Sequence, residues 1–130
     1  MKSKRVLVID DMQAIHIIVE MLLNDMGVTQ VDTAFTGKEG LNKIEKALEE
    51  DPFYDLILCD WNLGGMQGIE VLRHVRESEH QKVQELKFVL VTAEVGSKNQ
   101  AKAKDLNVTM FIEKPFKHED LKGHVEELLS

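Results

Sequence analysis

The amino-acid sequence predicts an α/β fold in which one five-stranded parallel sheet is covered by helices on both faces. Three observations carry this. Short β-branched runs alternate five times with longer stretches whose apolar residues recur at helical spacing. The short runs are apolar through consecutive residues, as strands buried on both faces are. Polar residues with chemical capability follow the first, third, fourth and fifth runs directly, at the strand ends where α/β sheets gather their functional groups.

The elements follow in order. The first strand is Arg5 to Ile9, and the helix after it carries a stripe of Ile15, Ile18, Val19, Leu22, Leu23 and Met26, closed by Gly27. A weaker strand, about Gln30 to Phe35, leads through Thr36 and Gly37 to a helix with Leu41, Ile44 and Leu48 inside. Asp51 and Pro52 stop it. The third strand, Leu56 to Cys59, opens into a loop from Asp60 to Gly68. A helix with Ile69, Leu72 and Val75 inside and Arg73 and Arg76 outside comes next. A polar segment, Ser78 to Glu85, precedes the strongest strand, Lys87 to Thr92. Ser97 then caps a short, poorly amphipathic fourth helix ending near Leu106. The fifth strand is about Thr109 to Ile112, and beyond Lys114 and Pro115 a closing helix presents Leu121, Val125, Leu128 and Leu129.

The 130 residues, 43% of them hydrophobic, suffice for one domain without disulfides or a structural metal. The single cysteine, Cys59, sits in an apolar run and reads as a buried small side chain, which fits a reducing cytoplasm. The apolar stretch Val6 to Ile9 is too short for a signal peptide, and nothing approaches the length of a membrane helix. A net charge of -7 without a basic cluster argues against nucleic-acid binding. The histidines His16, His74, His80, His118 and His124 lack compact ligand spacing and are expected at surface or boundary positions.

Right-handed crossovers and the strand order 2-1-3-4-5 make the first and third strands neighbours at the topological switch point, so Asp10, Asp11 and Asp60 share one crevice. Carboxylates about 4 Å apart repel by roughly 4 kcal/mol per pair at an effective dielectric of about 20. Lys114 offsets part of that, and a hydrated divalent cation on oxygen ligands, magnesium or manganese, offsets more. Thr92 can donate a hydrogen bond to a bound oxyanion. A carboxylate nucleophile at Asp60, a metal, a lysine and a hydroxyl describe a phosphoryl-transfer site whose product is a hydrolysable acyl phosphate. Each residue alone has a plainer reading: Asp10 and Asp11 as helix caps, Asp60 as a turn residue, Lys114 as a surface charge, Thr92 as an ordinary strand residue and Phe111 as core. Their coincidence at four strand ends favours the joint reading.

VLVIDD at Val6 to Asp11, LILCDWNLGGMQG at Leu56 to Gly68, VLVTAE at Val89 to Glu94 and FIEKPF at Phe111 to Phe116 resemble the receiver domains of bacterial response regulators, over nearly the whole chain. Asp60-Trp61-Asn62, Thr92-Ala93-Glu94 and Lys114-Pro115-Phe116 look most like the chemotaxis members. The resemblance implies a flavodoxin-like (βα)5 sandwich and a single receiver domain over residues 1–130 without an output domain. It also implies a switch that promotes its own phosphorylation and dephosphorylation; the chain's size and charged surface lead to the expectation of a monomer at rest, in the cytoplasm that the lone cysteine fits. A sensor histidine kinase, CheA-like, would donate the phosphoryl group to Asp60. Mg2+, with Mn2+ as an alternative, would be held by Asp11, Asp60 and the Asn62 backbone carbonyl, with Asp10 acting partly through water. Lys114 and Thr92 would contact phosphoryl oxygens, and the Lys114–Pro115 peptide would be cis.

In the family, activation moves the threonine toward the phosphoryl group and an aromatic on the fifth strand turns inward. That aromatic is Phe111 here, where tyrosine is common, so the hydroxyl contact is lost. The fourth helix, fifth strand and fifth helix would form the output face. Asn62 and Glu94 occupy positions that influence phosphate lifetime. Gly64 stands where many members have proline and Gln67 where aspartate is frequent, so a more mobile loop is expected. Trp61 either shields the crevice or packs as a buried side chain. Chemotaxis output through the flagellar motor switch competes with an adaptor or phosphate sink in another pathway. A haloacid-dehalogenase-type phosphatase ranks far behind, because it needs an acid where Asn62 stands, and no P-loop motif occurs.

Overall fold

A computed structural model describes residues 3–93 and 98–130. Five parallel strands, β1 (Arg5–Ile9), β2 (Gln30–Ala34), β3 (Leu56–Asp60), β4 (Lys87–Thr92) and β5 (Met110–Glu113), form one sheet in the order β2-β1-β3-β4-β5. The helices are α1 (Gln13–Asp25), α2 (Gly37–Ala47), α3 (Gly68–Arg76), α4 (Gln81–Gln84), α5 (Asn99–Asp105) and α6 (His118–Leu129). The polar segment before β4 thus contains a single turn of helix, α4. The expected fourth helix is α5; its proposed cap, Ser97, lies outside the described residues.

Alternation along each strand sends side chains to opposite layers. Leu7, Ile9, Ile57, Phe88 and Leu90 pack with residues of α2 and α3 on one face, whereas Val6, Val8, Leu58 and Val89 pack with α1 and α6 on the other. Helices on both faces are what a sheet apolar on both sides requires.

Several helix details depart from the sequence reading. Ile18 is 52% exposed, while His16 takes a place on the buried face of α1 with Val19, Leu22 and Leu23. Ile17 and Met21 are also exposed, so α1 is apolar on its outer side too. The second helix ends at Ala47, ahead of Asp51 and Pro52. Thr36 Oγ1 accepts from the Glu39 N–H at 3.0 Å and so caps α2. Arg76, expected outside, turns its guanidinium to the carbonyls of Gln84, Leu86, Leu106 and Asn107, tying the ends of α4 and α5 to α3. At the opposite end of the sheet from the strand carboxyl ends, Arg5 pairs with Asp32 at 2.6 Å, and Tyr54 donates to the same carboxylate at 2.5 Å.

Candidate functional site: an acidic crevice at the strand ends

Strand register brings the site together. Ile9 lies opposite Cys59 and Asp60 opposite Val91, so the residue after β1, Asp10, meets Asp60, and Thr92 stands one step beyond. Thr92 pairs with Glu113, which places Lys114 at the same edge. Asp10 and Asp60 are 3% and 7% exposed, and the carboxylates of Asp10, Asp11 and Asp60 can bring oxygens within 4.8 Å of one another. Asp11 is the exposed member. Lys114 Nζ lies 3.2 Å from Asp60 Oδ2 and 3.8 Å from Asp10 Oδ2.

The surrounding backbone holds these groups in place. Asp10 N–H donates to Ala34 O at 3.0 Å, and the Met12 N–H donates to Asp10 Oδ1 at 2.9 Å. The Asn62 N–H approaches Asp60 Oδ1 at 3.4 Å, so Asp60 is supported by its own loop. Trp61 N–H donates to Val91 O at 2.8 Å and Gly68 N–H to Trp61 O at 3.0 Å, closing the loop back on the sheet. Lys114 N–H donates to Thr92 O at 2.7 Å, and the Lys114–Pro115 peptide is cis. Thr92 is buried at 5% exposure.

Burial is the largest influence on Asp10 and raises its carboxyl above the ordinary range. The Met12 N–H opposes this, Asp60 adds to it, and Lys114 opposes it again. Burial likewise pushes the Cys59 thiol well up, which leaves it inert behind the acidic edge. A set of three carboxylates, one of them exposed, with a lysine on one side, fits a hard divalent cation: its oxygen donors match such an ion and its excess negative charge needs one.

Every described site residue named from the sequence lies at this edge or beside it. Phe111 is half-buried and packs against Trp61 at a ring-centroid distance of 6.3 Å, which connects the loop after β3 to β5. Glu94 lies outside the described residues. Gln67 does the opposite of what was expected: its side chain accepts from the Leu63 N–H at 3.0 Å and its own N–H donates to Glu70 at 2.9 Å, so it ties the loop down. Sequence reasoning missed Gly68 and His16. A Cβ on Gly68 would stand 2.3 Å from Asp60 O, so only glycine lets α3 start against the end of β3. The histidine position at i+6 from Asp10 was visible but carries no motif.

The fold and the crevice define a doubly wound α/β protein with an acidic, lysine-bearing site at its switch point. Residues 6–126 match the model of the response regulator receiver domain, and the chain belongs to that family. Chemotaxis protein CheY-3 of Vibrio cholerae is 31% identical, the match covering 98% of this chain and 92% of the relative. Chemotaxis protein CheY of Pseudomonas aeruginosa is also 31% identical, over 95% and 94%. Among solved structures, chemotaxis response regulator CheY4 of Vibrio cholerae superposes with a TM-score of 0.83 at 29% identity, covering 96% of this chain and 98% of that one. A CheY-like receiver domain protein from Methanospirillum hungatei gives 0.81 at 31% identity, covering 97% and 93%.

Proposed function

We propose that the chain is a phosphorylation-operated switch, with Asp60 as acceptor, working in chemotaxis as its named relatives do. The observation that carries this is Lys114 Nζ, 3.2 Å from Asp60 Oδ2 inside a cluster of three carboxylates. An ordinary buried ion pair would not need two further acids beside it.

Asp60 attacks the phosphorus of a phosphohistidine presented by a sensor histidine kinase of the CheA type. The P–N bond breaks, and the imidazole leaves with the electron pair and takes up a proton. Lys114 and the Thr92 hydroxyl meet the phosphoryl oxygens, where fixed donors stabilise developing charge. Asp10, Asp11, Asp60 and the Asn62 carbonyl would hold Mg2+, which supplies positive charge against the phosphoryl group when bound. Mn2+ meets the same donor preference. Hydrolysis of the acyl phosphate by water returns the resting state, so the switch promotes its own reversal and turns over no outside substrate. Asn62 and Glu94 influence how long the phosphate lasts.

Thr92 moving toward a phosphorylated Asp60 and Phe111 repacking beside Trp61 would carry the change to the face of α5, β5 and α6. That single receiver domain then acts in the cytoplasm by contact with an effector, the flagellar motor switch being the one the relatives' names suggest. The test is intact-mass analysis after incubation with acetyl phosphate. A Mg2+-dependent, hydrolysable phosphoryl adduct on the wild type that is absent in Asp60→Asn is expected. An adduct that survives in Asp60→Asn refutes the acceptor assignment.

A further inference from the structure

The inner face of α1 carries one imidazole among aliphatic side chains. His16 is 4% exposed, beside Val19 and Leu23, and its Nε2 lies 2.7 Å from the backbone oxygen of Asp10. A carbonyl only accepts, so Nε2 bears the hydrogen and Nδ1 is left as a bare acceptor. Nδ1 is the one buried side-chain nitrogen or oxygen among the described residues without a partner. The ring meets Phe35 edge-on at 4.7 Å. A leucine would fill this place without the unsatisfied Nδ1, so packing alone does not account for the histidine.

What the imidazole does that leucine cannot is hold the Asp10 carbonyl. Asp10 is then fixed on three sides: its N–H on Ala34 O at 3.0 Å, its Oδ1 under the Met12 N–H at 2.9 Å, and its carbonyl on His16. The peptide leaving Asp10 carries Asp11, so the hydrogen bond from His16 sets the direction in which the second carboxylate leaves the strand. We propose that His16 is a positioning residue for the cation site, locking the Asp10–Asp11 peptide so that both carboxylates face Asp60. It resembles the outer hydrogen bonds that orient ligands in metal sites. This rests on the reading that the acidic cluster holds a divalent cation.

The test is Mg2+ titration of wild type, His16→Leu and His16→Gln, followed through Trp61, the single tryptophan, with thermal melts in EDTA alongside. His16→Leu exchanges one unsatisfied buried atom, Nδ1, for another, the Asp10 carbonyl oxygen, so in EDTA it is expected to melt close to wild type. Its Mg2+ affinity is expected to fall about tenfold. His16→Gln, whose amide N–H can reach the Nε2 position, is expected to regain most of the loss. Wild-type Mg2+ affinity in His16→Leu would overturn the proposal. So would a joint loss of stability and affinity that glutamine leaves unrepaired, which marks a packing residue. A wild type that binds no Mg2+ sinks the cation reading itself, and the proposal with it.

Discussion

Asp10 is held at an electrostatic cost that one substitution exposes. Burial, Asp60 and Asp11 favour its protonated form against the Met12 N–H and Lys114, so its folded pKa lies above its unfolded one. The proton binds more tightly to the folded state. Its contribution to stability is therefore complete below the unfolded value of about 4 and is lost as pH rises through the folded value. In EDTA at pH 7, Asp10→Asn is expected to melt above the wild type, with the gap narrowing as pH is lowered toward the aspartate range. A gap that stays constant in circular-dichroism melts across that range would show that charge is not its source. Asp32 has the opposite sign: burial pushes its carboxyl up, but hydrogen bonds from Tyr54 and Arg5 outweigh this and hold it below its usual range. That stabilisation is present above about 4 and fades as pH falls through the folded value. The buried Asp10 and the partly buried Asp32 thus serve different ends, one the site and the other the scaffold.

At the scale of elements, the start of α3 is the most tightly specified junction. Because the nearest atom that a Cβ on Gly68 would meet is a backbone oxygen, Asp60 O at 2.3 Å, with the Leu90 side chain next at 3.0 Å, Gly68→Ala has to move the helix or the strand end. A loss of about 1–3 kcal/mol in urea unfolding is expected, with weaker Mg2+ binding, because the displaced atom belongs to Asp60 in the acidic cluster. An unchanged midpoint would mean that the junction is looser than its geometry. On α1 the two sides are expected to separate cleanly. Leu22→Ala, at 1% exposure, should cost about 2–5 kcal/mol, while Ile18→Ala, at 52%, should stay within about 0.5 kcal/mol. Periodicity placed Ile18 in the buried stripe because its chain neighbours Ile17 and Val19 and the residues a turn away, Ala14, Ile15, Met21 and Leu22, are also apolar, and a helix apolar on both sides offers no contrast by which to orient it. His16 belongs to the same failure: the pattern weighs side chains by hydrophobicity, whereas the position was decided by a carbonyl six residues earlier, just after β1. Gln67 and Arg76 show the limit again, since both satisfy backbone groups of segments that only folding brings near.

For the whole molecule, any cation bound by the acidic cluster is coupled to global stability. If Mg2+ binds the folded cluster and not the unfolded chain, saturation at about a hundred times Kd adds about 2.7 kcal/mol. That should raise the melting temperature by several degrees in the wild type and by little in Asp10→Asn. Equal shifts in both proteins would place the ion elsewhere. The sequence by itself determined the architecture, because five doubly buried strands admit few arrangements once crossovers are right-handed, and the observed order β2-β1-β3-β4-β5 is the expected one. It also determined the membership of the crevice: Asp10, Asp11, Asp60, Thr92 and Lys114 each follow or end a strand, and strand ends are visible in a linear pattern. What only the tertiary structure decided is how those groups are held. Lys114 lies nearer Asp60 than Asp10, Phe111 packs on Trp61, Gly68 admits α3 beside Asp60, and His16 fastens the Asp10 carbonyl. Hydrophobic periodicity records which face of an element is buried; a hydrogen bond or a close approach between distant segments depends on register and distance, which exist only once the chain has closed on itself.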